Sequence, residues 1–173
     1  MKSLLALILS LALSAQLALA AEPAKIAFVD TGNTGRSVAA EALARAIIQD
    51  KHLAIAVIGR AVDLDPFDLS PEPNMATLLS QHGIDVRTHI AAQLGAQDIK
   101  HADLILTMTA KHKATVIALF PDAAPKTFTI AEYATGTQAD VVDAYGKPMD
   151  VYEQVYSQID GYLPTALEKA THK

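Results

Sequence analysis

The chain contains no cysteine and no tryptophan among its 173 residues. Without cysteine there is no disulfide framework, no iron–sulfur cluster and no thiol nucleophile. Positive charge is also sparse, with 14 Lys and Arg scattered against 19 Asp and Glu. A nucleic-acid partner needs a basic stripe, and none is present. Six histidines occur, but His82, His89, His101 and His112 fall in different segments without tight ligand spacing. They read as scattered surface side chains, and neither a metal site nor a cofactor is implied.

A long apolar run occurs only at the start. Met1-Lys2 precedes an apolar stretch from Leu4 to about Ala20, closing on Ala18-Leu19-Ala20. A short positive start, an apolar stretch and an A-x-A site describe a secretory signal peptide over residues 1–20. The run is slightly short for a spanning helix and lacks a positive flank. The expectation is an exported protein, periplasmic or secreted, with no membrane attachment after cleavage. Residues 21–173 then form one domain, large enough for a core without staples.

Strand-like and helix-like runs alternate along that domain. Lys25 to Val29, Leu53 to Ile58, Ala102 to Met108 and Lys126 to Ile130 read as four strands. Arg36 to Asp50 has apolar residues at Ala39, Ala42, Leu43, Ala46 and Ile47, which predicts an amphipathic helix with Glu41, Arg45 and Gln49 outward. Asn74 to His82, Ala110 to Leu119 and Met149 to Lys169 read as further helices, with Pro164 a possible interruption of the last. Gly59 to Pro73 and Asp140 to Pro148 read as loops. Met75, Met108, Tyr133, Tyr152 and Tyr156 read as packing residues. Such alternation predicts an α/β fold with a mostly parallel sheet, whose ligands sit beyond the carboxyl ends of the strands.

The segment Ile26 to Ser37, I-A-F-V-D-T-G-N-T-G-R-S, lies at that end of the first strand. A buried strand, a glycine-rich turn and a helix start aim backbone N–H groups and Arg36 at one volume, as oxyanion sites do. The loop nevertheless begins with an acid, Asp30.

Asp30 to Ser37, D-T-G-N-T-G-R-S, resembles the C-x-G-N-x-C-R-S loop of the low-molecular-weight protein tyrosine phosphatase family, which includes thioredoxin-coupled arsenate reductases. Ala40-Glu41-Ala42, Gln81-His82-Gly83-Ile84-Asp85, Ala102 to Met108 (A-D-L-I-L-T-M), Asp143-Ala144-Tyr145-Gly146 and Val151-Tyr152-Glu153 resemble later family segments in order. The resemblance implies a flavodoxin-like three-layer sandwich with a four-stranded parallel sheet. It implies hydrolysis of phosphotyrosine proteins or small aryl phosphates. By position, Thr31, Gly32, Asn33, Thr34, Gly35, Arg36 and Ser37 form the phosphate loop, with Arg36 clamping phosphate and Asn33 and Ser37 bracing. Asp143 takes the general-acid position and Tyr145 the mouth of the pocket. Three positions depart: Asp30 stands at the nucleophilic cysteine, Gly35 at the second loop cysteine and Ala144 at the proline after the acid. Arsenate reduction needs a cysteine relay and is excluded.

A carboxylate at position 30 is a poor nucleophile toward phosphate without a metal. It is also an anion in an anion hole. Two unit charges about 4 Å apart repel by roughly 4 kcal/mol at an effective dielectric of 20. Asp30 is therefore expected to occupy the loop's N–H groups, pair with Arg36 and plug the site. Phosphate affinity should be weak near neutral pH and recover in acid, and phosphatase activity should be lost or much reduced. Three alternatives stand beside this: Asp30 acting as a carboxylate nucleophile, a non-catalytic binding protein using the acidic loop Asp63 to Glu72, and an aspartic protease through Asp30-Thr31-Gly32. The last needs a second such motif, and only one is present. The loop Asp63 to Glu72 otherwise reads as solvated.

Overall fold

A computed structural model describes residues 22–171; the signal peptide assigned to residues 1–20 lies outside them. Four strands form one sheet: β1 (Ala24–Asp30), β2 (Ile55–Ala61), β3 (Leu104–Thr107) and β4 (Thr127–Thr129). Their order is β2-β1-β3-β4, and every pairing is parallel. The helices are α1 (Arg36–Lys51), α2 (Pro73–Gln81), α3 (Ala96–His101), α4 (Ala110–Leu119), α5 (Ile130–Thr135) and α6 (Met149–Thr171), with a 3₁₀ turn at Pro121–Lys126.

The pleat of β1 sorts its side chains into two cores. Ile26 and Phe28 face a large core with Leu106 of β3 and with Val38, Leu43, Leu79, Val155, Ile159 and Leu163, supplied by α1, α2 and α6. Ala27 and Val29 face a smaller one with Ile105 of β3 and with Ile99, Val116 and Ala123, supplied by α3, α4 and the 3₁₀ turn. The result is the three-layer α/β sandwich of flavodoxin-like type. With β1 central and buried on both faces, its last residue, Asp30, opens at the carboxyl edge between its neighbours.

Several boundaries differ from the sequence reading. β2 runs on through Gly59, Arg60 and Ala61, which pair with Phe28, Val29 and Asp30. Gly59 is thus a strand residue at a close approach rather than the start of a loop. β4 is shorter than expected because Lys126 ends the 3₁₀ turn and Ile130 already begins α5. α3 and α5, six residues each, were too short to show a helical period. Pro164 does not interrupt α6; Pro164 and Asp160 are both exposed, so the carbonyl without its helical donor lies toward water. On α1, Ala40 and Ala44 are buried and Ala46 is exposed, while Glu41 turns partly inward. Met75, Met108 and Tyr152 are buried, as expected.

Candidate active site

Asp30 ends β1 and α1 begins six residues later. The turn between them closes through Asn33, whose φ of 56° is left-handed; asparagine tolerates this better than most residues. Asn33 is fully buried. Its Nδ2 donates to Ser37 Oγ at 2.9 Å, its Oδ1 accepts from the Ala92 N–H at 3.1 Å, and its carbonyl bonds His89 Nε2 at 2.9 Å. Asn33 and Ser37 therefore brace the loop. The space beneath them depends on Gly59: a Cβ there would sit 2.6 Å from Asn33 Nδ2 and 2.8 Å from Glu41 Oε2.

The Asp30 carboxylate is buried and faces into the loop. Its Oδ1 accepts the Asn33 N–H at 2.6 Å and its Oδ2 the Ser37 N–H at 2.8 Å. Gly35, the residue before α1, offers no side-chain cap. Asp30 supplies one from the neighbouring strand, with its negative charge at the positive end of the helix. The N–H groups of Thr31, Gly32, Thr34 and Gly35 donate to no acceptor among the described residues.

Arg36, also buried, does not pair with Asp30 as expected. Its Nη2 donates to Asp143 Oδ2 at 3.1 Å and its Nη1 to the Val141 carbonyl at 3.4 Å. The plug is thus made by backbone amides alone, because the 141–143 loop holds the guanidinium aside. Asp143 Oδ1 also accepts the Tyr145 N–H, and Tyr145 stands exposed at the rim. These groups, 107 positions apart for Arg36 and Asp143, line one cavity of about 280 Å³.

Two histidines taken for surface residues belong to this region. His112 is buried with its Nε2 2.9 Å from Thr31 Oγ1, and His89 holds the Asn33 carbonyl. The spacing of His112 and Val116, both on the inner side of α4, carried the signal. Burial lowers the pKa of His112, with the Arg36 charge adding to it; Asp30, Asp143 and Asp140 oppose the shift. Folded His112 resists a proton that the unfolded chain accepts near pH 6.5. Its contribution to stability is full above about pH 6.5 and is lost as pH falls below that value. Melting temperatures at pH 7.5 and pH 5 should therefore separate less in His112→Gln than in the wild type.

The loop Asp63 to Glu72, expected to be merely solvated, forms one wall of the cavity. It is tied to the turn after β1 by Val62 N–H to the Asp30 carbonyl, Asp63 N–H to the Thr31 carbonyl and Glu72 N–H to the Thr34 carbonyl. Glu72 also caps α2 through the Met75 N–H. Among the described residues, no group of three or more ligating side chains is arranged to hold a metal ion, and no helix is long and apolar enough to cross a membrane.

Residues 25–173 match the family model for low molecular weight phosphotyrosine protein phosphatase. The chain is 33% identical over 138 residues to a protein-arginine-phosphatase of Bacillus subtilis, covering 80% of this chain and 91% of that one. It is 34% identical over 139 residues to the low molecular weight protein-tyrosine-phosphatase PtpB of Staphylococcus epidermidis, covering 78% and 91%. Among solved structures, a YwlE arginine phosphatase with serine replacing cysteine, the active-site serine phosphorylated, superposes with a TM-score of 0.80. It is 32% identical and covers 84% of this chain and 94% of that one. With four parallel strands, a strand–loop–helix oxyanion turn and a match across almost all the described residues, the chain belongs to the low molecular weight phosphotyrosine protein phosphatase family.

Proposed function

We propose that this protein is an exported member of the family in which phosphoryl transfer has been lost or much reduced and the pocket is kept for binding. The observation that carries this reading is the Asp30 carboxylate seated on the Asn33 and Ser37 N–H groups. Each carboxylate oxygen already accepts one N–H, which withdraws charge from whichever oxygen would attack phosphorus. The carboxylate would also meet an incoming dianion with its own charge. Asp143 is held by Arg36 at 3.1 Å, so the acid position and the clamp neutralise one another in the resting site.

A second reading is favoured by one finding. On the related arginine phosphatase, an active-site serine replacing cysteine carries phosphate, so an oxygen nucleophile is compatible with the scaffold. Asp30 would then form an acyl phosphate, and the relatives point to phosphoarginine or phosphotyrosine in proteins as substrate. The test is turnover of p-nitrophenyl phosphate and a phosphoarginine peptide by residues 21–173, with and without Mg²⁺. The expected result is no turnover above that of the Asp30→Asn and Arg36→Ala variants. Rapid metal-free turnover that disappears in Asp30→Asn would establish the second reading and end the first.

A further inference from the structure

A second oxygen stands beside Asp30 in this cavity. Thr31 lines it with an exposed side chain, and Thr31 Oγ1 lies 2.9 Å from Nε2 of His112. His112 comes from the first turn of α4 and is only 5% exposed. A histidine kept for packing alone should have both ring nitrogens satisfied. Here the threonine hydroxyl is the ring's partner at Nε2, and the buried Nδ1 has none among the described residues. The pair is a hydroxyl open to the cavity on one side and held by an imidazole on the other, the arrangement that activates a weak oxygen nucleophile.

We propose that Thr31 is a nucleophile toward uncharged carboxylic esters with a phenolic leaving group, and that His112 is its general base. The proposal rests on the reading above only in that Asp30 turns phosphate away. A neutral ester brings no charge against Asp30. With its proton on Nδ1, the neutral imidazole accepts the Thr31 O–H at Nε2. Thr31 Oγ1 bonds to the carbonyl carbon as its proton passes to His112 Nε2. The carbonyl electron pair moves onto oxygen, and the loop N–H groups that Asp30 leaves open are donors for that oxyanion. Its collapse breaks the ester C–O bond and releases the phenolate, leaving acyl-Thr31 and a protonated His112. His112 gives this proton to solvent. It then takes one from an attacking water and passes it to Thr31 Oγ1 as the acyl bond breaks and a carboxylic acid departs. The Asp30, Asp140 and Asp143 carboxylates favour the imidazolium that forms in each half, while burial and the Arg36 charge keep the resting imidazole neutral. Met75, Ala144 and Tyr145 supply apolar wall for an aryl ester.

The test is hydrolysis of p-nitrophenyl acetate by residues 21–173, beside Thr31→Val, Thr31→Ser and His112→Gln, with acetylated residues located by peptide mass analysis after an acid quench. The unaltered protein and Thr31→Ser should turn the ester over and carry the acetyl group on residue 31. Thr31→Val keeps the shape without the hydroxyl and should lose about a hundredfold or more in turnover. His112→Gln should lose about a hundredfold, because glutamine can hold the Thr31 hydroxyl but takes no proton from it. In the unaltered protein the rate should fall in acid with a midpoint below 6.5, the ordinary imidazole value, and His112→Gln should lack that limb. Thr31 is exposed, so both of its variants should melt close to the unaltered protein. Turnover unchanged in Thr31→Val, acetyl groups confined to other residues, or no turnover above the rate in buffer would each overturn the proposal. Full activity in His112→Gln would overturn the assignment of the base. Turnover of p-nitrophenyl phosphate would instead refute the loss of phosphoryl transfer, so the two failures are distinct.

Discussion

Asp30→Cys should convert this protein into an aryl phosphatase in the presence of reductant, with a gain of roughly a thousandfold or more in p-nitrophenyl phosphate turnover. Removing a nucleophile from an assembled hydrolase site costs up to about a millionfold, and the rest of the loop is in place. The backbone donors of Asn33 and Ser37 would pass from carboxylate to thiolate, lowering the thiol pKa at the start of α1. The N–H groups of Thr31, Gly32, Thr34 and Gly35 remain open for the phosphoryl oxygens. Arg36 would leave the Asp143 carboxylate, 3.1 Å away, for the better-matched phosphate, freeing Asp143 to protonate the leaving group. Gly35 in place of a second cysteine removes the partner for a loop disulfide, so the new thiol should survive mild oxidants better than a two-cysteine loop. Asp30→Ser is the control, with an oxygen nucleophile and no comparable gain. Adding Arg36→Ala to Asp30→Cys should cost about a hundredfold or more, because the charge facing the phosphoryl group is lost. No turnover from Asp30→Cys under reductant would show that the site has departed from phosphatase geometry in more than its nucleophile.

The second large effect is on stability. Asn33→Ala should destabilise the fold by about 3–5 kcal/mol, a fall of roughly 10 °C in melting temperature. The substitution strips partners from Ser37 Oγ and from the Ala92 N–H, each costing about 1–3 kcal/mol where water cannot replace them. It also places a Cβ-bearing residue without a local polar side chain at φ 56°, for about 1–2 kcal/mol more. Asn33→Gly separates the two parts. It should recover the conformational share, leaving the hydrogen-bond loss. If thermal or urea unfolding places Asn33→Ala within about 1 kcal/mol of wild type, the loop is not held as described.

The fold could be read from the chain because its strands are short, apolar and separated by recognisable helices. The oxyanion turn was legible for a related reason: Gly32, Asn33, Gly35 and Arg36 form a local pattern whose geometry follows from neighbouring residues. What escaped was whatever depends on distant chain. Gly59 matters only because Asn33 and Glu41 pack against it from another element. His112 becomes a loop contact only when β3 and α4 fold beside β1. The acids from Asp63 to Glu72 look like ordinary solvated charge until their backbone is stitched to Asp30, Thr31 and Thr34. Arg36 was expected to face Asp30, and its turn toward Asp143 depends on a segment more than a hundred residues away.

The carboxylate at the end of β1 has one further consequence. An oxyanion turn without its guest keeps several amide dipoles pointed at one another, and dissolved phosphate or sulfate commonly relieves that repulsion. In this protein the relieving group is tethered to the chain, and dilution cannot remove it. The Asn33 and Ser37 amides are thus satisfied at any phosphate concentration, while those of Thr31, Gly32, Thr34 and Gly35 stay open.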